Sequence, residues 1–206
     1  MDSGRMVMKV IGFNGSPRKN GNTATLVSSV LKGAESRGAS VRLVNLHELK
    51  MKGCLGCEGC KKDLHRCVQK DDLSPILREL GEYDAIVLGT PVYWWHVNPQ
   101  LKMLTDRFYC FFSEEVNPET GEVKYGTAFP QGRKFVVVTS RGDEEDAKLF
   151  PELYGYLTEW LKMLTAVMGA SSTEFINHCG SLSDRNSARN NADLVARAES
   201  IGASLA

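Results

Sequence analysis

The 206-residue chain carries no net charge, with 25 Lys and Arg against 25 Asp and Glu. Such a balance supplies no broad positive field to hold a phosphate backbone, so nucleic acid is not expected as a partner. Long apolar runs are missing too. The stretch at 7–14 is only strand length and residues 1–6 are too polar for a secretory leader, so a cytoplasmic protein with no membrane span is expected. Histidine is scarce: His47, His65, His96 and His178 are scattered with no acid or nucleophile at motif spacing, which leaves acid–base or triad hydrolysis without support. No G-x-G-x-x-G occurs and no Gly-Lys-Ser/Thr closes a Walker loop, so a built-in dinucleotide domain is not indicated.

What is present is an alternation of strand and helix signals in a chain that is 42% hydrophobic, a size at which one domain spanning 1–206 is the default. Residues 7–14, 40–46, 84–90, 135–139 and 172–177 read as five strands. Between and after them, helical spacing runs from Asn22 to near Gly38, from Asp71-Asp72 through Leu80, over 99–112, over 149–168 and over 184–200. A turn-rich stretch around 117–121 predicts a hairpin insertion at 113–132. Strands alternating with helices imply a parallel sheet with helices on both faces and right-handed crossovers.

The loop between the first strand and the first helix, 14–23, is suited to an anion. A helix N-terminus offers unpaired N–H groups and the positive end of the helix dipole. Ser16, Asn20, Asn22 and Thr23 add small polar side chains, and Arg18 adds a charged fork. An ordinary polar turn is the alternative for this segment taken alone. With no dinucleotide signature, a mononucleotide is the expected ligand.

Gly15-Ser16-Pro17-Arg18-Lys19-Asn20-Gly21-Asn22-Thr23 resembles the phosphate loop of the NADPH-dependent FMN reductase and iron-sulfur flavoprotein group. Asp71-Asp72, Pro91-Val92-Tyr93-Trp94-Trp95, Gln100-Leu101-Lys102 and Asp106-Arg107 follow in the order that group shows, so the resemblance covers about 8–110. It implies a flavodoxin-like three-layer sandwich with strand order 2-1-3-4-5, and FMN at the carboxyl ends of the strands. It also implies that Pro91, Val92, Tyr93, Trp94 and Trp95 lie against the flavin, with Thr139, Ser140, Arg141 and Gly142 forming a third contact loop. For the aromatics, packing under helices or at a subunit contact is the competing explanation, and for Arg141 a solvated surface position. Asp106 and Arg107 are read as a helix-surface ion pair and left out of the site. No catalytic side chain is assigned, because the flavin carries the chemistry.

Cys54, Cys57, Cys60 and Cys67 follow C-x2-C-x2-C-x6-C, three close thiolates and one from a short return, a set that suits a [4Fe-4S] cluster. Zinc on the same thiolates, or no metal at all, remain the alternatives; zinc sites more often pair two separated knuckles. Cys110 and Cys179 fall outside the motif and read as core. The leading expectation is an electron-transfer oxidoreductase carrying FMN and the cluster. Its donor or acceptor is a small molecule or protein such as a quinone or ferredoxin, and resemblance implies a homodimer or homotetramer. The alternatives are an NAD(P)H-dependent FMN or quinone reductase without metal, with NAD(P)H as transient donor, and a noncatalytic flavin-binding sensor.

Overall fold

The computed structural model describes residues 7–63, 66–146, 150–182 and 184–206. The polar opening 1–6, His65 and the helix start expected at Leu149 lie outside the described residues. Along the chain run β1 (Lys9–Asn14), α1 (Asn22–Glu35), β2 (Ser40–Asn45), α2 (Leu73–Glu79), β3 (Ala85–Tyr93), β4 (His96–Val97) and α3 (Pro99–Arg107). There follow β5 (Phe112–Val116), β6 (Val123–Thr127), β7 (Arg133–Ser140), α4 (Pro151–Val167), β8 (Ala170–His178), α5 (Ser187–Asn190) and α6 (Ala192–Ala203). Strands β2-β1-β3-β7-β8 form a parallel sheet in that order, which is the expected 2-1-3-4-5.

Alternate residues of each central strand feed two separate cores, because successive side chains leave a strand on opposite faces. Ile11, Phe13, Ile86, Leu88, Phe135 and Val137 pack with Leu77 of α2, Leu101 and Leu104 of α3 and Leu161 of α4. Val10, Val87, Val136 and Val138 pack with Val27 and Val30 of α1 and Ala198 of α6. The sheet is thus the middle of three layers. Helices α1 and α6 cross closely enough that a Cβ on Gly202 would stand 1.9 Å from the Val30 carbonyl oxygen. Among the described residues, no helix is long and apolar enough to cross a membrane.

Three elements differ from the sequence-based expectation, the first being α3, which ends at Arg107 rather than at 112 because Phe112 already pairs in β5. Strand β3 continues to Tyr93, pairing Thr90 with Thr139 and Pro91 with Ser140, so Pro91 to Tyr93 extend the sheet edge rather than forming a loop. The last helix is broken: α5 ends at Asn190, and Asn191 caps α6 by accepting from Leu194 N–H at 3.0 Å. At the start of α2 the expected Asp71-Asp72 pair divides its work: Asp71 accepts from the Ser74 N–H, at 3.1 Å, and Asp72 from Lys50 N–H. The hairpin of β5 and β6 turns where Asn117 Oδ1 accepts from the N–H groups of Glu119 and Thr120.

The close α1–α6 crossing yields a direct test. Gly202→Ala should destabilise the fold by about 1–3 kcal/mol in urea unfolding, because the added methyl meets backbone that cannot yield as a side chain would.

Candidate functional site

The carboxyl ends of β1, β3, β7 and β8 converge on a cavity of about 340 Å³. Its lining comes from four connections: Ser16, Arg18, Gly21, Asn22 and Thr23 after β1; Pro91, Val92 and Tyr93 at the end of β3; Ser140 and Gly142 around the end of β7; and Ser181, Leu182 and Arg185 after β8. Because α1 leaves β1 toward one face of the sheet and α3 follows β3 on the other, a crevice opens between these two strands, where an open parallel sheet takes its ligand.

The loop after β1 is wound by its own side chains. Asn14 Oδ1 accepts from Ser16 N–H at 3.1 Å, Ser16 Oγ accepts from Arg18 N–H at 3.1 Å, and Arg18 C=O accepts from Gly21 N–H at 3.2 Å. This winding delivers the chain to α1 with Gly21 at the N-cap, a residue with no side chain to fill the helix end. The N–H groups of Asn22, Thr23 and Ala24 consequently have no acceptor among the described residues and stand at the positive end of the helix dipole. Across the crevice, buried Asn98 donates from Nδ2 to the Gly15 carbonyl and accepts at Oδ1 from Leu101 N–H, while its own N–H donates to Thr90 Oγ1 at 3.0 Å. A Cβ on Gly15 would stand 2.6 Å from Asn98 Oδ1, so the loop lies flat against that amide.

Nine of the expected contact residues line this cavity: Ser16, Arg18, Asn22, Thr23, Pro91, Val92, Tyr93, Ser140 and Gly142. Five do not. Asn20 is exposed beside it. Thr139 donates to Asn177 Oδ1 at 2.8 Å and, with Arg141, lines a separate cavity of about 100 Å³. Arg141 stacks 3.8 Å over the Tyr154 ring and donates to the carbonyls of Glu144 and Glu145. Trp94 and Trp95 form the two-residue turn between β3 and β4, both left-handed at φ 49° and 58°, the pattern of a type I′ hairpin that ordinarily takes Asn-Gly. That reversal places both indoles on another cavity, about 560 Å³, with Phe150 and Trp160. Sequence reasoning missed Ser181, Leu182, Arg185 and Asn98. The Asn98-Pro99 pair is an N-cap followed by a first-turn proline and was open to detection; the loop after β8 carried no comparable signal.

The family model of NADPH-dependent FMN reductase matches residues 8–171. The chain belongs to this family. An iron-sulfur flavoprotein of Methanocaldococcus jannaschii is 43% identical over 100 residues, which is 48% of this chain and 51% of that protein. The chain spans about half the length of the curated relatives it matches first. Among solved structures, an NAD(P)H:quinone oxidoreductase from Methanothermobacter marburgensis superposes with a TM-score of 0.72 at 19% identity, over 97% of this chain and 100% of that one. An FMN-dependent NADH-azoreductase from Bacillus anthracis in complex with FMN also gives 0.72, at 15% identity over 97% and 100%. At these identities the two structures speak for the fold.

In this FMN reductase family chain the cysteine loop is held at its base by a buried ion pair. Arg107, expected on the helix surface, is 1% exposed. It pairs with Asp71 at 2.8 Å rather than with Asp106, which pairs with Lys102 on the surface. Arg107 also donates to the Lys52 carbonyl at 3.0 Å and to Ser74 Oγ at 3.1 Å, and Asp71 accepts from Lys52 N–H. Residues 52 and 71, which bracket the four cysteines, are thereby joined. Burial alone would push the Asp71 carboxyl up, but hydrogen bonds from Arg107, Ser74 and Lys52 and the guanidinium charge hold it down to about 2.

Within the loop Cys60 is buried, Cys67 is half-buried, and Cys54 and Cys57 are exposed. Burial pushes the Cys60 thiol up and Lys61 pulls it down, while the sulfurs of Cys67 and Cys54 lie near enough to raise it further. Glu58 at φ 56° and Gly56 at φ 61° curl the segment between them. Among the described residues, no three His, Cys, Asp or Glu side chains are gathered as a single metal ion needs. Four soft thiolates are the donor chemistry that a [4Fe-4S] cluster takes, and Cys54 and Cys57 stand exposed, apart from the buried Cys60. Cys110 is buried, its thiol pushed up to about 12 mainly by burial.

Asp71→Asn leaves Arg107 charged and unpaired in the interior and should cost about 3–5 kcal/mol in urea unfolding. Asp106→Asn, which removes an exposed pair, should cost less than about 1 kcal/mol. Because the Asp71 carboxyl lies below its ordinary value, the stability it contributes is complete above the ordinary carboxylate range and is lost as pH falls through about 2. The acid-unfolding profile of Asp71→Asn should lack that limb.

Proposed function

We propose that this chain is a flavin-dependent oxidoreductase that binds FMN in the 340 Å³ cavity and passes electrons through a [4Fe-4S] cluster on Cys54, Cys57, Cys60 and Cys67. The observation that carries the flavin half is the first turn of α1: three backbone N–H groups without acceptors beside Arg18, opposite the edge of β3. A phosphate monoester supplies the acceptors those donors lack. In this reading Arg18, Ser16, Thr23 and the backbone N–H of Asn22 hold the phosphate, the strand end from Pro91 to Tyr93 lies along the ring system, and Ser140, Gly142 and Leu182 close the other side. Bound FMN supplies the ability to exchange either a hydride or single electrons. The protein's share is to orient the ring and limit water at its face. The names of the relatives called iron-sulfur flavoprotein support the cluster half, together with the soft donor set.

NAD(P)H is the proposed transient donor, and a quinone or a ferredoxin-like protein the acceptor. A homodimer or homotetramer, with the β5–β6 hairpin at the contact, would bring one subunit's cysteine loop toward another's cavity. A second reading, an NAD(P)H-dependent FMN or quinone reductase without metal, is favoured by the exposure of Cys54 and Cys57.

Anaerobic purification followed by an absorbance spectrum and iron and sulfide analysis separates the readings. About one FMN and about four irons per chain are expected. Flavin bands without iron would establish the second reading, and colourless protein that takes up no FMN would contradict both. Arg18→Ala should weaken FMN binding about tenfold or more, the contribution of a charge-assisted hydrogen bond. Cys57→Ser should lose iron and keep flavin, and loss of the flavin alone would refute that division.

A further inference from the structure

His178 ends β8 directly beside Ser140 of β7 in the parallel register, and both are almost completely buried. The imidazole is held from both sides: Nδ1 lies 3.1 Å from Ser140 Oγ, and Nε2 lies 3.0 Å from Ser187 Oγ. A serine hydroxyl can donate or accept, so these two contacts alone leave the tautomer undecided.

Asn22 decides it. Its Oδ1 lies 3.1 Å from the backbone N–H of Ala188. A backbone N–H only donates, so the oxygen end of the amide is fixed there and Nδ2 faces Ser187 Oγ, at 3.4 Å. Ser187 therefore accepts from Asn22 on one lone pair; the hydroxyl keeps a second, so the assignment rests on its hydrogen, for which His178 Nε2 is the other partner among the described residues. A neutral imidazole that accepts at Nε2 carries its proton on Nδ1.

We infer that the Asn22–Ser187–His178 relay holds the imidazole as the Nδ1–H tautomer, which donates to Ser140 and leaves the Ser140 hydroxyl hydrogen free for an acceptor oxygen of the ligand. Ser140 lines the cavity, whereas His178 does not, so His178 is a positioning residue acting through Ser140. Burial pushes its pKa below the ordinary histidine value, against the upward pull of Asp184, which keeps the ring neutral near pH 7 as the relay requires. Through this relay the start of α1, which carries Asn22, and the end of β7, which carries Ser140, are coupled across α5. That the ligand is FMN rests on the function proposed above; the relay itself does not.

Long-range 15N NMR of the histidine side chains reads the tautomer directly. In the wild-type chain near pH 7, His178 should show a protonated Nδ1 and a bare Nε2. Asn22→Asp should invert it, because a carboxylate would accept from Ser187 and oblige that hydroxyl to accept from Nε2–H. A wild-type Nε2–H tautomer, or no change in Asn22→Asp, would overturn the relay. In a fluorescence titration with FMN, His178→Ala should bind about fivefold more weakly, one net hydrogen bond. His178→Asn, whose amide can still donate to Ser140, should recover most of that loss. Wild-type affinity in His178→Ala would also overturn the inference. A wild-type chain that takes up no FMN would fail the flavin reading instead, and the tautomer would still decide the relay.

Discussion

The carboxamide of Asn98 ties the phosphate loop to strand β3, and the cavity depends on that tie. Its nitrogen donates to the Gly15 carbonyl and its oxygen caps α3, so one buried side chain fixes the loop after β1 and the helix after β3 at the same time. Thr90 joins the arrangement through the Asn98 N–H, and Gly15 N–H donates to the Gly89 carbonyl at 2.8 Å. With both walls of the crevice held, the N–H groups at the start of α1 are left facing the cavity rather than being absorbed by the fold. Donors fixed in advance avoid the ordering entropy that a mobile loop would lose on binding.

A second buried pair does for the cysteine loop what Asn98 does for the phosphate loop. Arg107 and Asp71 join the two ends of the segment that carries Cys54, Cys57, Cys60 and Cys67, and Arg107 closes α3, the helix that Asn98 opens. The short helix α3 is therefore the shared support: its N-terminus sets one wall of the cavity and its C-terminus anchors the cysteines. The proposed flavin and cluster would be positioned by opposite ends of one rigid element of nine residues.

The parts of the fold that were legible in the sequence are those buried on both faces. Strands such as β1 and β7 read as apolar runs because both neighbouring layers are apolar; alternation with helices made the sheet parallel, and the resemblance to the FMN reductase group supplied the strand order. The loop after β1 was legible as a wall of the cavity because it is continuous in the chain. What was not legible depends on partners distant in sequence. The burial of Arg107 follows from Asp71, 36 positions away, so spacing on α3 alone pointed to solvent. The turn at Trp94 and Trp95 has a left-handed backbone that indoles rarely adopt, so nothing local signalled a hairpin that sets both rings beside Phe150 and Trp160. Residues after β8 reach the cavity only because β8 lies beside β7, a fact of topology.

The central claim is that the open N-terminus of α1, with Arg18, binds the phosphate of FMN. Parallel fluorescence titrations with FMN and with riboflavin, which has the same ring system and no phosphate, test it most directly. FMN should bind on the order of 100-fold more tightly than riboflavin, the contribution of a few charge-assisted hydrogen bonds. Equal affinity for the two flavins would contradict the account.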